Sequence, residues 1–516
     1  MNVNVLFFVI ALLFITGCDH SPEVKKNDKP NIILILADDL GYHDLGAYGQ
    51  EKIKTPNIDA LAKNGKLFTR FYSGAPVCAP ARCVLMTGKH TGHAYIRGND
   101  EWRERGEVWD YTKAAEDPSL EGQRPIPDSL VTMAEILRAS GYRTACIGKW
   151  GLGAPFTEGA PENQGFDLFF GYNCQRQAHN LYPPHLWRNR EKVKLNNDMV
   201  VPGTRLEAEA DPWQEASYQK YRQQQYAPDL MMREALNFIS TSDDPFFVYY
   251  ASPLPHLPLQ APLEWVEQYR EIFGPEEPYT GEKSYFPTFT PRAAYAAMVS
   301  HLDSQVGKLI EKLEEKGELN NTIIVFTSDN GPTFDIGGAD SPFFDSAYPF
   351  NSTRGWGKGN LHEGGIRVPM IVSWPGKIAP GSSSDLVSGF WDLLPTFAEL
   401  ADANQPANLD GIDISPTLLG NDQQENHEYL YWEFPAYGGQ QAVRFENWKG
   451  IRKGILNGNM SIELYNLTED LREENDVAAR HPGIVAEMKT MMEKSHTIPA
   501  LEKFRMATLD NDRIDK

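Results

Sequence analysis

Asn31-Ile32-Ile33-Leu34-Ile35-Leu36-Ala37-Asp38-Asp39 is the stretch on which the fold turns. A nearly unbroken aliphatic run of this length reads as a strand covered on both faces, and here it ends directly in two carboxylates. Three further runs have the same form. Thr144 to Ile147 leads into Gly148-Lys149, Phe246 to Ala251 (FFVYYA) leads to His256, and Thr322 to Thr327 (TIIVFT) runs into Ser328-Asp329-Asn330. Helical periodicity lies between them. Ser129 to Ser140 stops at Gly141, Ala294 to Lys316 stops at Gly317, and Trp391 to Ala401 forms a third such stretch. Short apolar runs alternating with longer helices define an α/β chain. Ligands of open α/β sheets gather at the carboxyl ends of the strands. The spacing therefore predicts that Asp38, Asp39, Lys149, His256, Asp329 and Asn330 meet at one end of a sheet.

From about Asn421 the texture changes. Tyr429 to Phe434 and Ser461 to Tyr465 alternate like half-buried antiparallel strands, and a helix over Gly483 to Ser495 follows. The expected division is a large domain over 30–420 and a smaller C-terminal α+β domain with an antiparallel sheet over 421–516. A length of 516 residues fits that division, and 41% hydrophobic content excludes a disordered chain. With 49 Lys and Arg against 70 Asp and Glu, the net charge of −21 excludes a nucleic-acid binder. The same field repels any anionic ligand. Salt screens it within about 8–10 Å, so local cations must hold such a ligand.

The apolar run Val5 to Ile15 is too short to span a bilayer and has the length of a signal-peptide core. It ends in Ile15-Thr16-Gly17-Cys18, which looks like a bacterial lipobox. Residues 1–17 are expected to be a lipoprotein signal peptide, Cys18 the lipidated first residue, and 18–29 a charged tether. An ordinary cleaved signal peptide is the other reading. The expected location is a bacterial periplasm or cell surface, with the membrane reached through the N-terminal lipid only. Cys78, Cys83, Cys146 and Cys174 do not make a disulfide scaffold in a chain of this size. Cys146 reads as a buried thiol, and Cys83 as packing behind the helix that carries Cys78.

Cys78-Ala79-Pro80-Ala81-Arg82, with Thr87-Gly88 beyond, reads C-x-P-x-R-x-x-x-x-T-G. This pattern resembles the signature of the sulfatase family, in which the cysteine is oxidised after translation to formylglycine (3-oxoalanine). Gly148-Lys149-Trp150, Gly355-Trp356-Gly357-Lys358-Gly359 and Glu363 to Pro369 resemble further family segments. The resemblance runs from Pro30 to Asn475 and includes Leu464-Tyr465-Asn466-Leu467, Asp470 and Glu474. It implies an alkaline-phosphatase-like fold, a mostly parallel central sheet sandwiched by helices, and a sulfuric ester hydrolase. It implies catalytic roles for Cys78, Arg82, Lys149, His256 and Lys358, with Pro80 and Arg82 also read by a formylglycine-generating maturation enzyme. It places Ca²⁺ on Asp38, Asp39, Asp329 and Asn330 together with the modified Cys78. An Asp-Asp pair alone is most often a turn or helix cap, but two acidic pairs in matching positions suit a hard cation. His256, with an ordinary pKa of about 6.5, would protonate the leaving alcohol. Arg367 is expected to support the fold.

One departure stands out. Many sulfatases carry a histidine two residues after the motif lysine, against the formylglycine hydroxyl, where this chain has Gly151. His179, His362 or a water are the candidates to fill that space. Asn173 to Trp187 (NCQRQAHNLYPPHLW) offers sugar-binding side chains in Gln175, Arg176, His179, Tyr182, His185 and Trp187, and Arg97, Asn99 and His362 are further substrate candidates. Gly165 to Tyr182 also resembles carbohydrate sulfatases, some of which act on galactose-configured sugars at O4. The expectation is an exo-acting carbohydrate sulfatase. The alternatives are a phosphonate or phosphate ester hydrolase of the same superfamily, and a non-catalytic glycan-binding homologue.

Overall fold

The computed structural model describes residues 29–351 and 353–514. The expected signal peptide and the lipidated Cys18 lie outside the described residues. Ten strands form one sheet: β1 Asn31–Ala37, β2 Lys66–Phe68, β3 Arg143–Lys149, β4 Leu168–Tyr172, β5 His185–Arg188, β6 Glu191–Lys194, β7 Phe246–Ala251, β8 Thr322–Ser328, β9 Met370–Ser373 and β10 Ser382–Ser384. Their order across the sheet is β10-β2-β9-β8-β1-β7-β3-β4-β5-β6. The five central strands, β8 to β4, run parallel, so their carboxyl ends share one edge. β9, β5 and β6 pair antiparallel to their neighbours.

β1 shows why the apolar runs carry no polar alternation. Ile32, Leu34 and Leu36 enter one core and Ile33, Ile35 and Ala37 the other, all fully buried. The first core packs α2 (Cys78–Thr87), α3 (Met133–Ala139) and α7 (Leu393–Leu400) on one face. The second packs α1 (Pro56–Lys63), α4 (Ala227–Ser240), α5 (Leu263–Phe273) and α6 (Pro291–Lys316) on the other. The fold is therefore the helix-sheet-helix sandwich expected of the α/β pattern. Helix α6 stops where its sequence predicts, at Gly317 with φ 71. Helix α3 is shorter than its periodic stretch because Thr132 and Glu135 close a capping box.

The C-terminal sheet is an antiparallel meander of β11 Leu430–Phe434, β12 Gln440–Phe445, β13 Trp448–Lys453 and β14 Glu463–Asn466. Its alternation was read as half-buried, but both faces are covered. Leu430, Trp432, Phe434, Ala442 and Ile451 join the core beneath α2. Tyr431, Val443 and Leu464 pack on Met488 and Met492 of α8 (Pro482–Ser495). Among the described residues no helix is long and apolar enough to cross a membrane.

Candidate active site

The carboxyl edge of the parallel strands holds the cluster. β1 hands over to Asp38, whose N–H donates to Leu254 O at 2.9 Å, and to Asp39, held at φ 63. That left-handed backbone is uncommon outside glycine and reorients the second carboxylate. β8 ends beside it, and Asp39 N–H donates to Asp329 Oδ1 at 3.1 Å. Lys149 is the last residue of β3. The glycine before it has φ 120, and a Cβ there would lie 1.9 Å from Ala251 O, so only Gly148 admits β7 this closely. Cys78 opens α2, whose unpaired N–H groups and dipole favour negative charge at this point. Gly88, at φ 66, closes the same helix, which explains the Thr-Gly of the motif.

Cys78 Sγ lies 3.5 Å from Asp38 Oδ1 and 3.8 Å from Lys358 Nζ. Lys149 Nζ is 2.5 Å from Asp38 Oδ2, and Lys358 Nζ is 2.5 Å from Asp39 Oδ2. Arg82 is wholly buried and clamps Asp329 Oδ2 at 2.8 Å and Asp38 Oδ2 at 3.5 Å. Burial, the largest single influence, pushes both Asp38 and Asp39 upward, but Lys149, His256, Arg82 and Lys358 together outweigh it for the first and Lys358 and His256 together for the second, so both carboxyls are lowered. Asp329 goes the other way, up to about 7, through burial and the nearby Asp38. Burial pushes the Cys78 thiol up to about 12, so its thiolate is not the resting species. His256 Nδ1 donates to Leu257 O at 2.6 Å, which fixes the tautomer and turns Nε2 towards Asp39 Oδ2 at 3.6 Å. Burial lowers this imidazole to about 4 against the pull of Asp39.

The donor set fits a hard cation. Ligand atoms of Asp38, Asp39, Cys78 and His256 lie within 4.8 Å of one another. Asn330 Oδ1 is buried without a hydrogen-bond partner, while Asn330 Nδ2 donates to Asp39 Oδ1 at 2.7 Å. An orphaned amide oxygen among three aspartates matches the oxygen-rich coordination of Ca²⁺.

Of the substrate candidates in the 173–187 loop, Gln175 and His179 reach this cluster. His179 stacks on His256 with ring centres 5.2 Å apart. Gln175 Nε2 donates to Asn99 Oδ1 at 3.2 Å, and that oxygen also accepts the Ala79 N–H at 3.1 Å. Arg176 lies 4.8 Å over the half-exposed Trp109 ring. The second half builds the fold instead. His185 and Trp187 both bind the buried Glu121, and Tyr182 packs on Tyr226. Arg97 is engaged by Glu433, Ala94 O and Thr497, tying α2's neighbourhood to the C-terminal segment. His362 is fully buried, stacked on Trp356 at 5.2 Å and near Tyr465. Cys78, Cys83, Cys146 and Cys174 are all free and buried. Arg367 donates to Thr69 O and pairs with Glu363, as a structural arginine would.

Three groups escaped the sequence reading. Tyr285 meets both His179 and His256 edge-on. Thr333 donates to Asp39 Oδ2 at 2.6 Å. Glu101, beside Arg176, accepts from the Cys174 thiol at 3.1 Å and is pushed up to about 7 by burial. Glu101 follows Asn99 by two residues, which is the signal that could have found it; Tyr285 has none.

With this geometry in view, comparison with known proteins settles the class. The sulfatase family model matches residues 30–403, and the model described as N-sulphoglucosamine sulphohydrolase, C-terminal, matches 353–497. The chain belongs to the sulfatase family and is a sulfuric ester hydrolase with an alkaline-phosphatase-like fold. Among its relatives, arylsulfatase A of Bos taurus is 35% identical over 81% of this chain and 74% of its own. Human N-acetylgalactosamine-6-sulfatase is 29% identical over 83% and 74%. The crystal structure of Ps i-CgsB is 29% identical with a TM-score of 0.70, covering 92% of this chain and 94% of that one.

Proposed function

We propose that this chain is an exo-acting, calcium- and formylglycine-dependent sulfatase of sulfated carbohydrates, exported and held by a lipid on Cys18. The observation that carries the reading is Cys78 at the first turn of α2, between Asp38 at 3.5 Å and Lys358 at 3.8 Å. Formylglycine at position 78 would supply, as its hydrate, a hydroxyl nucleophile for the sulfate ester and a second hydroxyl through which the aldehyde can be restored. Asp38, Asp39, Asp329 and Asn330 would hold calcium, which would supply Lewis-acid polarisation of the sulfate oxygens. The chain's own groups do the rest. Lys149 and Lys358 balance the sulfate's charge, and Arg82 holds Asp38 and Asp329 in register. His256 exchanges a proton with the leaving sugar oxygen through Nε2, the ring atom that its Nδ1–H bond leaves free.

A carbohydrate substrate is supported by the complex of Ps i-CgsB with k-i-k-neocarrahexaose, a chain 28% identical to this one at TM-score 0.70. The polar wall of Gln175, Arg176, His179 and Glu101 beside the cluster agrees with it. The likeness of Gly165 to Tyr182 to carbohydrate sulfatases favours a galactose-configured 4-O-sulfate. The test joins chemistry to turnover. In protein made with a maturation enzyme, the Cys78 peptide is expected to be about 18 Da lighter than the thiol form. Sulfate release from defined saccharides is expected to stop on chelation and return with Ca²⁺. Faster turnover of phosphate or phosphonate esters than of any sulfate ester would overturn the reading, as would a thiol-only peptide.

A further inference from the structure

Gly151 stands where many relatives of this pattern carry a histidine, and the space above it is already filled. Its backbone sits at φ +82, where a side chain is strained. A Cβ at this position would lie 3.1 Å from Gln175 Cγ, 3.4 Å from Gln175 Cδ and 3.6 Å from Arg82 Cδ. Gln175 is 4% exposed, and its backbone N–H is anchored on Gln123 Oε1 at 3.1 Å. Its Nε2 shares Asn99 Oδ1 with the N–H of Ala79, the residue after Cys78. The amide is thereby oriented, and its Oε1 is left buried with no hydrogen-bond partner. Buried acceptors are normally satisfied; the single S–H of Cys78 is directed at Asp38 Oδ1, whereas a hydrated aldehyde at position 78 carries two hydroxyls, so the orphaned amide oxygen marks the place of the second donor.

We propose that Gln175 is the orienting acceptor for the hydroxyl group at position 78, its side chain taking the space that a side chain at position 151 would fill. The assignment rests on the formylglycine reading above. A carboxamide can take a hydrogen bond but not a proton. It aims the hydroxyl without deprotonating it, a different division of labour from a histidine at position 151.

The test uses the full chain, an aryl sulfate with no sugar, and three variants. Gln175→Ala and the near-isosteric Gln175→Met are both expected to lower kcat by about 10- to 100-fold, with KM within about threefold. The converted fraction of the Cys78 peptide is expected to stay at the parent's level. Gly151→Ala is expected to lower the unfolding midpoint at least about twice as much beside Gln175 as in the Gln175→Ala background, because the 3.1 Å contact is then gone. Full kcat in Gln175→Met overturns the acceptor role. A loss confined to KM on saccharides makes Gln175 a sugar contact and overturns it too. Equal midpoint losses in both backgrounds overturn the steric part while leaving the proposed function standing. A thiol-only parent peptide overturns both.

Discussion

Two buried clusters of charge sit in this molecule, and only one is built to do chemistry. The first is the group around Cys78. The second lies where the C-terminal sheet meets Tyr72 and the segment 363–367. There Lys449 pairs with Glu363 at 2.8 Å and Glu473 at 3.7 Å, and Arg367 pairs with Glu363 at 3.1 Å. Arg444 and Glu363 both bind the Tyr72 hydroxyl. Burial would raise Glu363, but Lys449, Arg367 and Arg444 outweigh it and hold it down at about 2. Every cation in that cluster points at a group of the fold. The second cluster has an unbonded atom too, Glu473 Oε1, but it faces Lys449 at 3.7 Å in a closed interior, whereas the orphaned Asn330 Oδ1 and Gln175 Oε1 of the equally buried Cys78 cluster accompany a lysine, Lys358, that is partly open to solvent. Burial of charge is common to both. Unfilled, oriented valence at an opening is what separates a site from a rivet.

The comparison breaks most sharply on a pair of substitutions. Cys78→Ala removes the group that reacts and leaves the surrounding ion pairs in place. Turnover is expected to fall by about 10⁴-fold or more, with the urea midpoint within error of the parent. Lys449→Met removes the first counter-charge of the Glu363 carboxylate in a closed interior. It is expected to cost about 3–5 kcal/mol of stability while kcat/KM per folded molecule is unchanged. Urea unfolding with active-site-normalised kinetics reads both. If Cys78→Ala destabilises as much as Lys449→Met, the two clusters are not different in kind.

The same contrast explains what could be read from the sequence. The central strands were legible because both faces are buried, so Asn31–Ala37 and Thr322–Ser328 carry continuous apolar runs whose last residues mark the site. Asp38, Asp39, Asp329, Asn330 and Lys149 came with them at no extra inference. β12 and β13 were not legible. Gln440, Arg444 and Lys449 lie in those strands, and each is held by a partner far away in sequence, Gly359, Tyr72 and Glu363; Gln441 and Arg452 are buried there against each other. Arg97 and His185 failed for the same reason. A polar side chain looks alike whether it awaits a ligand or is paired with Glu433 or Glu121, which lie 336 and 64 residues away in sequence. Local sequence announces a strand end but not a distant counter-charge.

Glu473 offers the smallest and most selective test of the closed cluster. Its Oε2 accepts the Glu363 N–H at 2.6 Å, and the carboxyl is pushed up to about 8, by burial and by Glu363 against the pull of Lys449. The unfolded carboxyl titrates at about 4.3. Between these values the folded chain holds a proton that the unfolded chain has released. The stability this proton contributes is therefore complete below the unfolded value and is lost as pH rises towards 8. Glu473→Gln keeps an acceptor for the Glu363 N–H and cannot ionise. The variant is expected to come closest to the parent's urea midpoint near pH 4 and to exceed it increasingly as pH rises to 8.5, by at least about 1 kcal/mol. Kinetics on an aryl sulfate should not distinguish the two proteins at either pH, since Glu473 belongs to the closed cluster. Parallel stability curves would mean that Glu473 is ionised in the fold and that the cluster is balanced by Lys449 and the arginines alone.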